Sequence, residues 1–190
     1  MTGLFGGTFD PPHLGHLAVA EACADAAGLD RVVWMPAATS PHKRGQDQTP
    51  APVRLAMVEA AIRGNDRFRA SDLEVRRRGV SYTVDTVRQL GGPLALIVGG
   101  DSLAGFTTWR EAREIARLAW LVAYRRPGDA VSLDALPDWL AAAVTVVEGP
   151  PLDLSSTAVR ARVAGGRTVR YLVPDGVRAI VDSEGLYRPG

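Results

Sequence analysis

A chain of 190 residues, 46% hydrophobic and 23% charged, can bury one well-packed core and is short for two, so a single domain over 1–190 is expected. A formal net charge of +1 argues against a nucleic-acid partner, and no apolar run reaches membrane-spanning length. One cysteine, Cys23, excludes an internal disulfide and reads as a small buried residue; with no leader-like start, the sequence reads as that of a cytoplasmic protein.

The chain opens on a short apolar run, Leu4-Phe5. Gly6-Gly7-Thr8-Phe9-Asp10-Pro11-Pro12-His13-Leu14-Gly15-His16 follows, and the next apolar residues predict a helix over Leu14 to Ala27 with Gly28 as its stop. A strand, a glycine turn and a helix start gather backbone N–H groups around one point. The unpaired amides of a first helical turn favour an anion there. His13 and His16, three residues apart, fall on neighbouring positions of that turn, and Gly15 leaves room for a ligand against the backbone. Alone, the pair could also be a surface feature or half of a metal site. No third histidine, cysteine cluster or Glu at zincin spacing stands nearby, so no protein metal ligands are expected, and the residues favour a phosphate cradle with two imidazole donors.

Arg31 to Pro36 reads as a buried strand, which completes a strand-helix-strand unit and implies a parallel sheet with a right-handed crossover. The polar loop from Ala37 to Pro52 contains Ser40-Pro41-His42-Lys43-Arg44, at the sheet edge where open α/β folds place ligands. Lys43 is the only lysine in the chain, a compact point charge suited to an anion; a plain solvated loop is the alternative. Pro52 is expected to open a helix over Val53 to Arg63, with Leu55, Ala56, Val58, Glu59 and Ile62 at helical spacing. Phe68 to Val75 alternates as a strand, and Arg76-Arg77-Arg78 reads as an exposed turn. From Ser81-Tyr82-Thr83-Val84-Asp85-Thr86 a helix is expected, capped by Ser81 or Thr83, whose start could receive a carboxylate.

Leu94 to Ser102 is the most strand-like segment and ends in Gly99-Gly100-Asp101. Asp101 could accept from ribose hydroxyls or cap the next helix. A helix over Glu111 to Leu118, a strand over Trp120 to Tyr124, a turn at Arg125 to Gly128, a short helix around Trp139 and a strand over Val144 to Val147 follow. Ser155, Ser156 and Thr157 then start a helix running to Gly165, with Arg160 about one turn on: hydroxyls, amides and a planar cation at one helix start. The segment from Tyr171 to Val181 reads as a closing helix that packs and does no chemistry. Three anion-receiving features have an obvious common use only if a parallel sheet gathers them on one polyphosphate.

His13-Leu14-Gly15-His16 resembles the His-x-Gly-His signature of the nucleotidyltransferase superfamily, preceded by its Gly-Thr-Phe-Asp-Pro strand end, and Ser155-Ser156-Thr157 with Arg160 resembles its second motif. Pro41-His42-Lys43, the run from Glu74 to Tyr82-Thr83-Val84-Asp85-Thr86, Gly99 to Ser102, Trp109 and Arg126-Pro127-Gly128 make nearly the whole chain similar to bacterial nicotinate-nucleotide adenylyltransferases. That resemblance implies a doubly wound, mostly parallel, Rossmann-like α/β sheet with a small C-terminal helical part.

It also implies adenylyl transfer from ATP to nicotinate mononucleotide in NAD biosynthesis, with Mg²⁺ held mainly by the substrate phosphates. His13, His16, Lys43 and Arg160 would then be the catalytic groups. ATP would meet Gly6, Gly7, Thr8, Phe9, both histidines, Asp101, Ser155, Ser156, Thr157 and Arg160. The mononucleotide would meet Thr8, Lys43, Tyr82, Thr83 and, by stacking, Trp109. One departure stands out: the family often has an aromatic after the tryptophan, where this chain has Arg110. The alternatives are another phosphorylated acceptor, nicotinamide mononucleotide or phosphopantetheine, or a non-catalytic adenine-nucleotide sensor.

Overall fold

Large apolar side chains alternate along the central strands, and the pleat sends each set to one side of a sheet. The structure is a computed structural model that describes residues 1–41, 45, 47–125, 133–149 and 152–189. Its strands are β1 (Thr2–Gly7), β2 (Arg31–Pro36), β3 (Phe68–Ala70), β4 (Leu94–Gly99), β5 (Ala119–Arg125) and β6 (Val144–Glu148). They lie in the order β3-β2-β1-β4-β5-β6 and every pairing is parallel, so the expected mostly parallel sheet is parallel throughout the described residues. Phe5, Trp34 and Ile97 bury one face against α1 (Leu14–Ala26), α2 (Ala51–Ala61) and α9 (Asp175–Ser183). Leu4, Met35, Leu96 and Val98 bury the other among Val84, Val87, Leu103, Ile115 and Leu140.

Those last five belong to α4 (Thr83–Leu90), α5 (Gly100–Ala104), α6 (Ala112–Leu118) and α7 (Asp138–Ala141). A short α3 (Leu73–Arg77) and α8 (Ser156–Ala164) complete the α-helices among the described residues. The strand order reverses between β1 and β4, and at such a switch point the carboxyl ends splay into a crevice. No helix among the described residues is long and apolar enough to cross a membrane.

Several boundaries differ from the sequence reading, each for a local reason. The α2 helix starts at Ala51, with Pro52 inside its first turn. Its buried positions are Arg54, Met57, Val58 and Ala61, so an arginine occupies the face assigned to Leu55 and Ala56. The expected strand over Phe68 to Val75 stops at Ala70. The Ser71 hydroxyl then accepts from the Leu73 amide at 3.3 Å and the chain turns into α3. Arg76 and Arg77 therefore sit in a helix rather than an exposed turn, and Arg78, at φ +58°, ends it.

Neither Ser81 nor Thr83 caps α4. Tyr82 holds the N-cap position without a side-chain bond, and Ser81 Oγ accepts instead from the Ala38 amide at 3.0 Å, just beyond β2. The strand expected to reach Ser102 ends at Gly99. Gly99 takes the cap position of α5, which leaves Asp101 exposed in the first turn. The closing helix begins at Asp175, after Pro174, because Tyr171 sits in a left-handed conformation at φ +65° that no helix continues through. His42, Lys43, Arg44 and Arg126-Pro127-Gly128 lie outside the described residues.

Candidate active site

The crevice at the switch point is a cavity of about 600 Å³ walled by both central strand ends: Gly6 and Gly7 of β1 and Gly99 of β4. Thr8, Phe9, His13, Gly15 and His16 form one side of it, with Ser40 and Pro41 from the loop after β2. Tyr82, Thr83, Thr86 and Trp109 form another, beside Glu74 and Arg110.

The two histidines share one device. His13 is the N-cap of α1 and His16 its third residue; the His13 amide donates to His16 Nδ1 at 3.2 Å and the His16 amide to His13 Nδ1 at 3.3 Å. Reciprocal caps of this kind are usually made by Ser or Thr with Glu, and here two imidazoles do it, stacked with ring centroids 3.7 Å apart. A neutral imidazole has one N–H. With each Nδ1 accepting from the backbone, that hydrogen belongs to Nε2, so both rings are fixed as Nε2 donors. Gly15 also lines the cavity and sits close under this pair: a Cβ there would stand 3.0 Å from His13 Nδ1 and 3.1 Å from Cε1, so the ring would have to give way. Phe9 supports the pair from below, fully buried at φ +50° and edge-on to His16 at 5.2 Å.

The first turn of α8 lies against the same loop. Ser156 Oγ donates to Pro11 O at 2.8 Å, Arg160 Nη1 donates to Asp10 O at 2.8 Å, and Ser155 caps α8 by accepting from the Ala158 amide. Arg160 also reaches Thr157 Oγ1 at 3.3 Å. The starts of α1 and α8 are thus side by side. Ser155, Ser156, Thr157 and Arg160 do not line the cavity itself, and neither does Asp101.

At the other wall, the Arg110 guanidinium lies 4.7 Å over the Tyr82 ring and 3.8 Å from Asp85, so the cation replaces an aromatic as the cover of that edge. Trp109 is half-buried and packs on Phe106 with ring centroids 5.0 Å apart. Glu74, buried in α3, accepts from the Thr86 hydroxyl, which in turn accepts from Arg77 at 2.9 Å. Burial pushes the Glu74 carboxyl above its ordinary value, against the opposing pull of Thr86, Ser81 and Arg77.

Sequence reasoning gave Glu74 no role of its own within the run it begins, and it missed a second, largely buried group: Asp10, Thr49, Arg54 and Tyr187. Arg54 had a signal, since it shares the 54, 57, 58, 61 face of α2 with core residues. Tyr187, 177 positions from Asp10 in the chain, had none.

Comparisons with known proteins agree on one family. Residues 4–162 match the cytidylyltransferase-like family model. A Salinibacter ruber protein named probable nicotinate-nucleotide adenylyltransferase is 46% identical over 98% of this chain and 97% of its own length. One of the same name from Roseiflexus is 45% identical over 98% and 97%. By structure, the Plasmodium falciparum nicotinic acid mononucleotide adenylyltransferase, solved with NaAD, superposes with a TM-score of 0.77 over 98% of this chain and 96% of its own. It is only 14% identical, so the likeness is one of fold.

Proposed function

Because the chain belongs to the cytidylyltransferase-like family, in the branch of the nicotinate-nucleotide adenylyltransferases, we propose that it makes nicotinate adenine dinucleotide and pyrophosphate from ATP and nicotinate mononucleotide. The observation that best supports this is the imidazole capping pair at the switch-point crevice, which presents two Nε2 donors at the positive end of the α1 dipole.

In that reaction a phosphate oxygen of the mononucleotide attacks the α-phosphorus of ATP. The bond from that phosphorus to the bridging oxygen of the β-phosphate breaks, and pyrophosphate leaves with the electron pair. The attacking monoester, with a second pKa of about 6, is already mostly dianionic at neutral pH and needs no general base. What the protein must supply is alignment and stabilisation of charge on the α-phosphate and the leaving group.

His13 and His16 are assigned to the transferring phosphates as fixed donors, with Gly6, Gly7, Thr8 and Phe9 backing them through the loop. Arg160, with Ser155, Ser156 and Thr157, is assigned to the β- and γ-phosphates. To reach them, its guanidinium would exchange the Asp10 carbonyl for a phosphate oxygen, a stronger acceptor. Lys43 is assigned to the same groups by sequence, and Asp101 to a ribose hydroxyl. Trp109 would stack on the pyridine ring beside Tyr82, and the start of α4 at Thr83 would take the carboxylate, where a full negative charge gains more than an amide dipole. Mg²⁺ would be held mainly by the substrate phosphates and keep several of its waters.

Pyrophosphate release from ATP, measured with nicotinate mononucleotide, nicotinamide mononucleotide and phosphopantetheine in parallel, tests the reading. Fastest turnover with the nicotinate form is expected. Preference for another acceptor would reassign the substrate, and no release with any of them would make the chain a nucleotide-binding protein without transferase activity.

A further inference from the structure

Beneath the phosphate loop lies a buried polar knot that no step above uses. Tyr187 donates its hydroxyl to Asp10 Oδ1 at 2.6 Å; the Thr49 amide donates to Asp10 Oδ2 at 3.2 Å, and Thr49 Oγ1 to the tyrosine oxygen at 3.3 Å. From α2, Arg54 spreads its guanidinium over four carbonyls: Thr8 at 2.7 Å, Thr49 at 2.8 Å, Ala37 at 2.7 Å and Ala38 at 3.0 Å. Arg54 is 1% exposed and Asp10 4%. They form a compensated pair of charges in one dry region, with Asp10 favouring the charged guanidinium that burial disfavours. The Leu14 amide, in the first turn of α1, also donates to Leu172 O at 3.0 Å, so the C-terminal segment holds this loop at two points.

Neither Arg54 nor Tyr187 lines the cavity. Both grip the stretch that carries the left-handed Phe9 and leads directly into the His13 cap. Such a loop does not hold that conformation by its own preference, because a β-carbon disfavours positive φ. We propose that Tyr187 and Arg54 are positioning residues for the transfer: acting through Asp10 and Thr8, they set the loop backbone and with it the aim of His13 and His16. The inference rests on the function proposed above.

Removing the Tyr187 hydroxyl withdraws a charge-assisted bond from a buried carboxylate, which the loop must then answer by moving or admitting water. Substrate affinity is spread over many contacts and should change little. The in-line geometry is not so distributed, and errors near 1 Å are costly there.

The test is Tyr187→Phe beside wild type, with Tyr171→Phe as a control, since Tyr171 is 80% exposed. Tyr187→Phe is expected to lower kcat by about tenfold or more with both KM values within about twofold, while Tyr171→Phe does neither. Amide hydrogen exchange, which needs no activity, should speed up in peptides covering 6–16 and around Thr49 and stay unchanged in β4 and β5. Unaltered exchange in 6–16 overturns the proposal, as does faster exchange there with kcat intact. Faster exchange in every peptide alongside lost activity also overturns it, since that marks general destabilisation. If wild type makes no dinucleotide from nicotinate mononucleotide, the proposed function fails, and the exchange pattern alone decides whether Tyr187 holds the loop.

Discussion

His16 has two jobs that ordinary substitution would confuse. Its Nδ1 caps the His13 amide, and its Nε2 is the donor assigned to phosphate. His16→Ala removes both, so kcat should fall well over tenfold while the helix start loses about 1 kcal/mol of capping. His16→Asn separates them, because the asparagine carbonyl stands where Nδ1 stood and can accept from His13, with nothing reaching as far as Nε2. Its melting temperature should recover most of the loss and its kcat should not; near-normal turnover in His16→Asn would remove the histidine from the chemistry. The sequence made the pair visible, since His-x-x-His at a helix start is a local pattern. That the two rings cap each other was not legible, because it depends on rotamers, as does the close approach of the His13 ring to Gly15.

At the scale of elements, what the sequence hid were charged groups on buried faces. Alternation misread Phe68 to Val75 as one strand since Glu74 fills an inward position that periodicity reserves for an apolar residue. Arg54 defeats the same logic in α2. Both charges find partners on other elements, Thr86 on α4 and carbonyls after β1 and β2, which no window of sequence contains. Packing between helices was equally silent. A Cβ on Gly176 of α9 would meet the Ala60 Cβ of α2 at 3.2 Å and its carbonyl oxygen at 3.5 Å, so the two helices approach as closely as a glycine allows. Gly176→Leu should therefore destabilise by about 1–3 kcal/mol through overpacking, lowering the melting temperature by roughly 2–12 °C in a chain of this size. An unchanged melting temperature would mean that α9 slides freely on α2.

For the whole molecule, the α/β alternation was readable because each strand and helix is a short local pattern, and a parallel sheet follows from the connections. Where the strand order turns back, and hence where the crevice opens, is a global property that alternation leaves undetermined. The crevice carries a cost that the molecule bears as a whole. Glu74 is buried at its wall, and because burial outweighs the help of Thr86, Ser81 and Arg77, its folded-state pKa lies above the unfolded value of about 4.3. A carboxyl raised on folding binds its proton more tightly in the native state. Its contribution to stability is complete below the unfolded pKa and is lost as pH rises through the raised folded one, so ionising the group weakens the fold. Glu74→Gln keeps an acceptor for the Thr86 hydroxyl and discards the charge. Every other titrating group is common to both proteins, so the difference in melting temperature, variant minus wild type, isolates this one. It should grow more positive between pH 4 and 8, by roughly 2–4 °C for each 1 kcal/mol of ionisation cost removed. A difference that stays flat across that range would mean that Thr86, Ser81 and Arg77 fully offset the burial, and that the acid at the crevice wall ionises as it would in water.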